Sequence, residues 1–139
     1  MDKSNLLQAA MNNNKNESLM NYTTVKIIEE TTQILEVLKF DDVVFNIISE
    51  KLKGYRYVDE LNIIVEGRYF RWINLTDPSN LMLNKGAVLC KVQIHDACVH
   101  LLFKTFFNRC FNIKLNEILL FMKLNEQELV LLSALDHLA

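Results

Sequence analysis

Between Gly67 and Lys123, apolar and polar residues alternate in short runs cut by turn residues, and this pattern restricts the chain more than anything else in it. A period of two puts successive side chains on opposite faces, so it marks strands half buried in a sheet. Five runs carry it: Arg68 to Leu75, opened by Gly67; Ala87 to Ile94, opened by Gly86; Cys98 to Phe106; Cys110 to Leu115; and Ile118 to Met122. A tight turn at Asp96-Ala97 sets Ile94 opposite Val99, Val92 opposite Leu101 and Cys90 opposite Phe103. A loop centred on Phe107 then sets Phe103 opposite Phe111, Leu101 opposite Ile113 and Val99 opposite Leu115. This register predicts Val88, Cys90, Val92, Ile94, Val99, Leu101, Phe103, Phe111 and Ile113 beneath the sheet. Lys91, Gln93, His100, Lys104 and Lys114 are predicted outside it. Five short strands with brief connections fit a five-stranded antiparallel small barrel of the SH3-like or Sm-like kind, since closure removes exposed edges. An open meander covered by helices is the alternative.

The flanks read differently, and the chain as a whole reads as α+β. Residues 1–22 are polar and Asn-rich, the composition of a flexible polar arm. Residues 23–54 read as a helical hairpin packed on the sheet. Thr23 or Thr24 caps its first helix, with Ile27, Ile28, Thr31, Ile34, Leu35 and Leu38 on one stripe. Asp41 or Asp42 caps its second, which carries Val44, Ile47, Ile48 and Leu52 and stops at Gly54. Residues 55–123 form the barrel, with Tyr55 to Ile64 as a lead-in. Residues 124–139 read as a C-terminal helix. It is opened by a capping box in which Asn125 is the cap and Glu128 stands three residues on. Leu129, Leu132 and Leu135 share one face of it. Val130, Leu131 and Leu138 lie off that stripe and form a candidate interface for a protein partner or a second copy.

Charge and chemistry narrow the function. The net charge is −2, but residues 54–123 carry +3 while the segments on either side are acidic. The overall balance argues against a generic polyanion binder. Arg68-Tyr69-Phe70-Arg71-Trp72 interleaves cations with rings, as a stacking platform for single-stranded nucleic acid does. With Lys85, Lys91 and Lys104, Arg68 and Arg71 make the candidate nucleic-acid patch. The three cysteines do not oppose one another in the register above, so reduced thiols are expected. His95, Cys98 and His100 are the nearest approach to a ligand cluster, but no fourth ligand lies near them. No metal, cofactor or catalytic site is expected, because no nucleophile–base spacing or phosphate-cradling glycine loop is present. No apolar run reaches the length of a membrane span, and no basic start precedes an apolar run. Neither membrane association nor secretion is therefore expected.

Three stretches carry a resemblance: Gly67 to Ile73, Leu83 to Leu89, and Phe111 to Ile118. Together with the Asn- and Lys-rich arm, they resemble small β-barrel-like proteins of nucleocytoplasmic large DNA viruses. The resemblance covers about half the chain. It implies a virion or virus-factory component in the host cytoplasm or the particle, and it assigns no site residues. The function expected is a non-catalytic structural or adaptor module of such a virus, a minor virion component acting through protein contacts. A small-barrel nucleic-acid-binding protein is the alternative, and an accessory subunit of a viral enzyme complex a second one.

Overall fold

The computed structural model of the protein describes residues 3–138. Its contacts divide the chain into two compact units, Met1–Arg56 with Leu124–Ala139, and Tyr57–Lys123.

In the first unit, α2 (Thr24–Val37) and α3 (Asp42–Lys51) are the two expected helices. The Thr23 side chain accepts the Lys26 N–H, and Asp41 accepts the Val44 N–H at 2.9 Å, so each helix starts where its cap was read. The C-terminal helix α4 (Glu126–Leu138) opens on the expected reciprocal box. Asn125 Oδ1 accepts the Glu128 N–H and Glu128 Oε1 accepts the Asn125 N–H, both at 2.8 Å. The Asn-rich segment expected as a mobile arm instead folds, as α1 (Lys3–Asn12) and a 3₁₀ turn (Asn14–Leu19). Composition missed Ala10 and Leu19, both wholly buried in one cluster with Ile27, Leu124, Leu131 and Leu132. Asn16 is buried as well, and donates from Nδ2 at 2.9 Å to the Ala10 carbonyl, which also accepts the Asn13 N–H at 3.4 Å at the end of α1.

Two tertiary contacts tie this unit together. Arg56 is buried, donates to Ser18 Oγ at 3.0 Å and lies 5.3 Å from the centre of the Tyr22 ring. The Tyr22 hydroxyl donates to Glu30 at 2.7 Å, and that carboxylate, helped by burial, holds the phenol above its usual range. On α4, Asp136 accepts both the Thr24 N–H at 2.8 Å and the Thr24 hydroxyl at 2.6 Å, so it caps α2 from another helix.

The second unit holds the sheet. The five expected strands are present as β2 (Tyr69–Asn74), β3 (Ala87–His95), β4 (Cys98–Lys104), β5 (Cys110–Lys114) and β6 (Ile118–Lys123). A sixth, β1 (Tyr55–Val58), occupies what was read as a lead-in; four residues are too few to show a period of two. The sheet is antiparallel, with order β1-β6-β2-β3-β4-β5. It stays open, with β1 and β5 as its edges, so the expected closed five-stranded barrel is corrected to an open six-stranded sheet. A 3₁₀ turn at Leu115–Glu117 ends β5 early and removes the expected Val99–Leu115 pair.

Four of the six expected pairs form. Ile94 opposes Val99, Val92 opposes Leu101, Leu101 opposes Ile113 and Phe103 opposes Phe111. Asp96 and Ala97 both take positive φ, the signature of a two-residue type I′ hairpin. The pairing of Cys90 with Phe103 fails. The register shifts between Leu89 and Lys91, so a bulge at Cys90 absorbs one residue and Leu89 opposes Phe103. The bulge reverses the phase of the first half of β3. Ala87 and Leu89 are buried, and the expected core residues Val88 and Cys90 are exposed. Ile94, beside the hairpin turn, is 63% exposed.

Phe103 is the hub of the core. Its ring stacks on Trp72 at 4.4 Å, on Phe111 at 6.0 Å, and meets Phe70 edge-on at 6.0 Å. Replacing it with Ala is expected to cost about 3–5 kcal/mol, a large share of the roughly 5–15 kcal/mol that holds a domain together. Denaturant melts followed by Trp72 fluorescence check this.

The Asp136–Thr24 hydrogen bonds hold the Asp136 carboxyl below its usual value. A depressed folded pKa gives stability that is present above the unfolded value of about 3.9 and is lost as pH falls through the folded one. Asp136→Asn should therefore be less stable than the parent at neutral pH. The gap should close as pH falls below the unfolded value of about 3.9 and through the depressed folded one, as thermal melts across acidic pH would show.

Candidate nucleic-acid interface

None of the six strands contains Asp or Glu. Their charged residues are all cations, and the bulge gathers several of them on the face opposite the Phe103 core. Because the bulge takes up Cys90, Val88, Lys91 and Gln93 share that outer face, although in an unbroken strand Val88 and Lys91 would point to opposite sides. Three cross-strand rows result. Tyr69, Val88, Lys104 and Cys110 form the first, Lys91, Leu102 and Asn112 the second, and Gln93, His100 and Lys114 the third. All are exposed or half-exposed. Directly opposed residues in such rows lie about 5 Å apart, so the ammonium groups of Lys91, Lys104 and Lys114 serve one surface. His100 Nδ1 lies 3.2 Å from Asn112 Oδ1, which steadies the middle of it.

The candidate patch read from sequence is only partly assembled. Lys91 and Lys104 are in the rows above. Arg71 stands two residues beyond Tyr69 on the same face of β2, half-buried, its Nε donating to the Asn84 carbonyl at 2.8 Å. Lys85 is exposed in the turn before β3, and its carbonyl accepts the Tyr69 hydroxyl at 2.7 Å. Arg68 is turned elsewhere, donating to the Lys123 carbonyl. Lys114, expected outside, joins the patch through its pairing with His100.

The largest omission is the β4–β5 connection. Phe106 and Phe107 are 95% and 84% exposed, with ring centres 5.8 Å apart at nearly right angles. The loop under them is fixed. Asn108 N–H donates to the Thr105 carbonyl at 3.0 Å, Thr105 N–H to the Arg109 carbonyl at 2.8 Å, and Arg109 N–H to the Thr105 hydroxyl at 3.2 Å. Asn108 takes the left-handed conformation that a three-residue hairpin loop requires. The sequence held part of the signal: a loop centred on Phe107 lifts that ring off the strands, but Phe106 was read as the end of the third strand, whereas β4 stops at Lys104. Lys104 and Arg109 flank the pair.

The other expected surfaces fare differently. On α4, Leu131 is 1% exposed within the first unit's own cluster, so it is core and not interface. Val130 is half-buried, and Leu138 is 84% exposed. Leu129, read on one face with Leu132 and Leu135, is half-exposed. The rings of His95 and His100 meet edge-on at 5.5 Å. Among the described residues, no group of three or more His, Cys, Asp or Glu is placed to hold a metal. Cys90, Cys98 and Cys110 are free thiols.

Compared with known proteins, the chain matches no family model, no curated protein sequence and no solved structure.

Gly86 holds Tyr69 in this surface. At φ 104° it is in a region closed to most side chains, and a β-carbon there would come within 2.5 Å of the Tyr69 ring. Gly86→Ala should cost more than about 1 kcal/mol. Phe106→Ala and Phe107→Ala, on exposed rings, should each stay within about 0.5 kcal/mol of the parent. Parallel thermal melts would separate the two classes.

Proposed function

We propose that the protein is a non-catalytic binding module that takes single-stranded nucleic acid on the outer face of β3, β4 and β5. The observation that carries this reading is the acid-free run of Arg71, Lys91, Lys104 and Lys114, bordered by the rigidly presented Phe106 and Phe107. Cations that track phosphates, next to open rings on which bases stack, are what such binding requires. The acids lie outside the strands, although the Glu66 carboxylate accepts the Val92 N–H at 3.0 Å and so sits against β3. The strand order supports the finer reading of the sheet as SH3-like. β2 to β5 run as a meander, and a 3₁₀ turn returns β6 beside β2. The sequence resemblance supports a setting in a large DNA virus, as a component of the particle or the factory.

The adaptor reading rests on the same Phe pair, which would fill apolar pockets on a protein partner. The two readings part over salt. Anisotropy of a labelled oligothymidylate should show binding at low salt that weakens steeply between about 50 and about 200 mM. For single strands each phosphate contact contributes about −0.7 to the logarithmic slope, so four cations give about −3. Charge reversal at Lys91 and Lys104 together should cost more than tenfold in affinity. Replacing both phenylalanines with Ala should cost about tenfold or more, at 1–3 kcal/mol per stacked base. No binding at low salt would remove the nucleic-acid reading. Capture of a protein from infected cells that survives nuclease and is lost in the Phe variant would favour the adaptor.

A further inference from the structure

A recess opens on the outer face of the sheet where the cation rows meet the β4–β5 loop. It has a volume of about 240 Å³ and is lined by Tyr69, the segment 86–88, Lys104, Thr105, Phe106 and Asn108. Pockets for drug-sized ligands run to about 300–1,000 Å³, so this one suits a single flat heterocycle. Two aromatic rings line it. Tyr69 is fixed, because its hydroxyl donates to the Lys85 carbonyl at 2.7 Å and Gly86 leaves room for its ring. The Phe106 ring is exposed. Asn108 supplies the one side-chain amide. The loop's own hydrogen bonds run through backbone groups and the Thr105 hydroxyl. Among the described residues, the exposed Asn108 amide is therefore left to solvent.

Resting on the single-strand reading above, we propose that this recess takes one unstacked base of the bound strand and that Asn108 selects adenine. An amide presents a donor and an acceptor side by side, and a base must offer the reverse pair. Adenine does so on both of its free edges, because its amino group stands between N1 and N7. Guanine, cytosine and thymine do so on one edge only, and the other edge of guanine carries two acceptors, O6 and N7. Adenine therefore meets the amide in either of two orientations, and brings the broad face of a purine to Tyr69 and Phe106. Lys104, also in the lining, takes the adjoining phosphate. The left-handed backbone of Asn108 would serve the loop without any ligand, but glycine serves it equally well. Substitution by glycine therefore separates the turn role from base selection.

The test is anisotropy of the full chain with labelled thymidylate oligomers of equal length that carry one central adenine, guanine or cytosine, or none. The adenine oligomer should bind about fivefold or more tightly than each of the others, the low end of what one bidentate amide–base contact discriminates. Asn108→Gly should bring it down to the level of the plain thymidylate, and thermal melts check that the variant stays folded. In amide NMR spectra of the parent protein, adenosine monophosphate should shift the signals of Gly86, Val88 and Asn108 more than thymidine monophosphate does. Adenine selection is overturned, with strand binding intact, if all four oligomers bind equally or if the preference survives Asn108→Gly. Equal NMR shifts from the two nucleotides also overturn it. If none of the four oligomers binds at low salt, it falls together with the single-strand reading.

Discussion

The surface chemistry of the sheet depends on a single extra residue. The bulge at Cys90 lets one strand present two incompatible phases, Ala87 and Leu89 inward in its first half and Val92 inward in its second. Without it, the inward set that begins at Leu89 would continue through Lys91, and a lysine would face the Phe103 core. Burying an unpaired ammonium costs far more than the local disorder of a bulge. The bulge is therefore what keeps the core apolar, and by the same shift it brings Lys91 onto the face that holds Lys104 and Lys114. Core and candidate site are two consequences of one backbone irregularity.

The helical unit is held by contacts that cross between elements more than by the strength of any one helix. Short helices are marginal alone. Here the start of α2 is satisfied by Thr23 from its own chain segment and by Asp136 from α4. The buried Arg56 reaches Ser18 and the Tyr22 ring, and Tyr22 in turn bonds Glu30 on α2. The Asn-rich segment belongs to this unit because Ala10 and Leu19 supply it with a small apolar face, enough to pack although too sparse to register in composition.

The proposed function of the sheet face follows from a contrast with the residues' immediate surroundings. On the sheet, ordinary lysines become a coherent surface because no carboxylate stands on any strand to neutralise them. That surface needs no perturbed acidity, and a motif search has nothing to find in it.

The sequence alone determined the local elements. Period-two alternation located five strands, the helical stripes and caps located three helices, and Asp96-Ala97 and the loop around Phe107 fixed two hairpins, because each of these signals rests on neighbours within a few residues. Lys91 and Lys104 were legible as exposed cations for the same reason. The tertiary structure decided the rest. Whether Cys90 bulges depends on which residue Phe103 meets across the sheet. Whether Leu131 is surface or core depends on α1 being present to cover it, and whether Tyr55–Val58 is a strand depends on β6 lying open beside it. Each of these outcomes is set by pairing or packing across long stretches of chain, where burial energy outweighs local pattern.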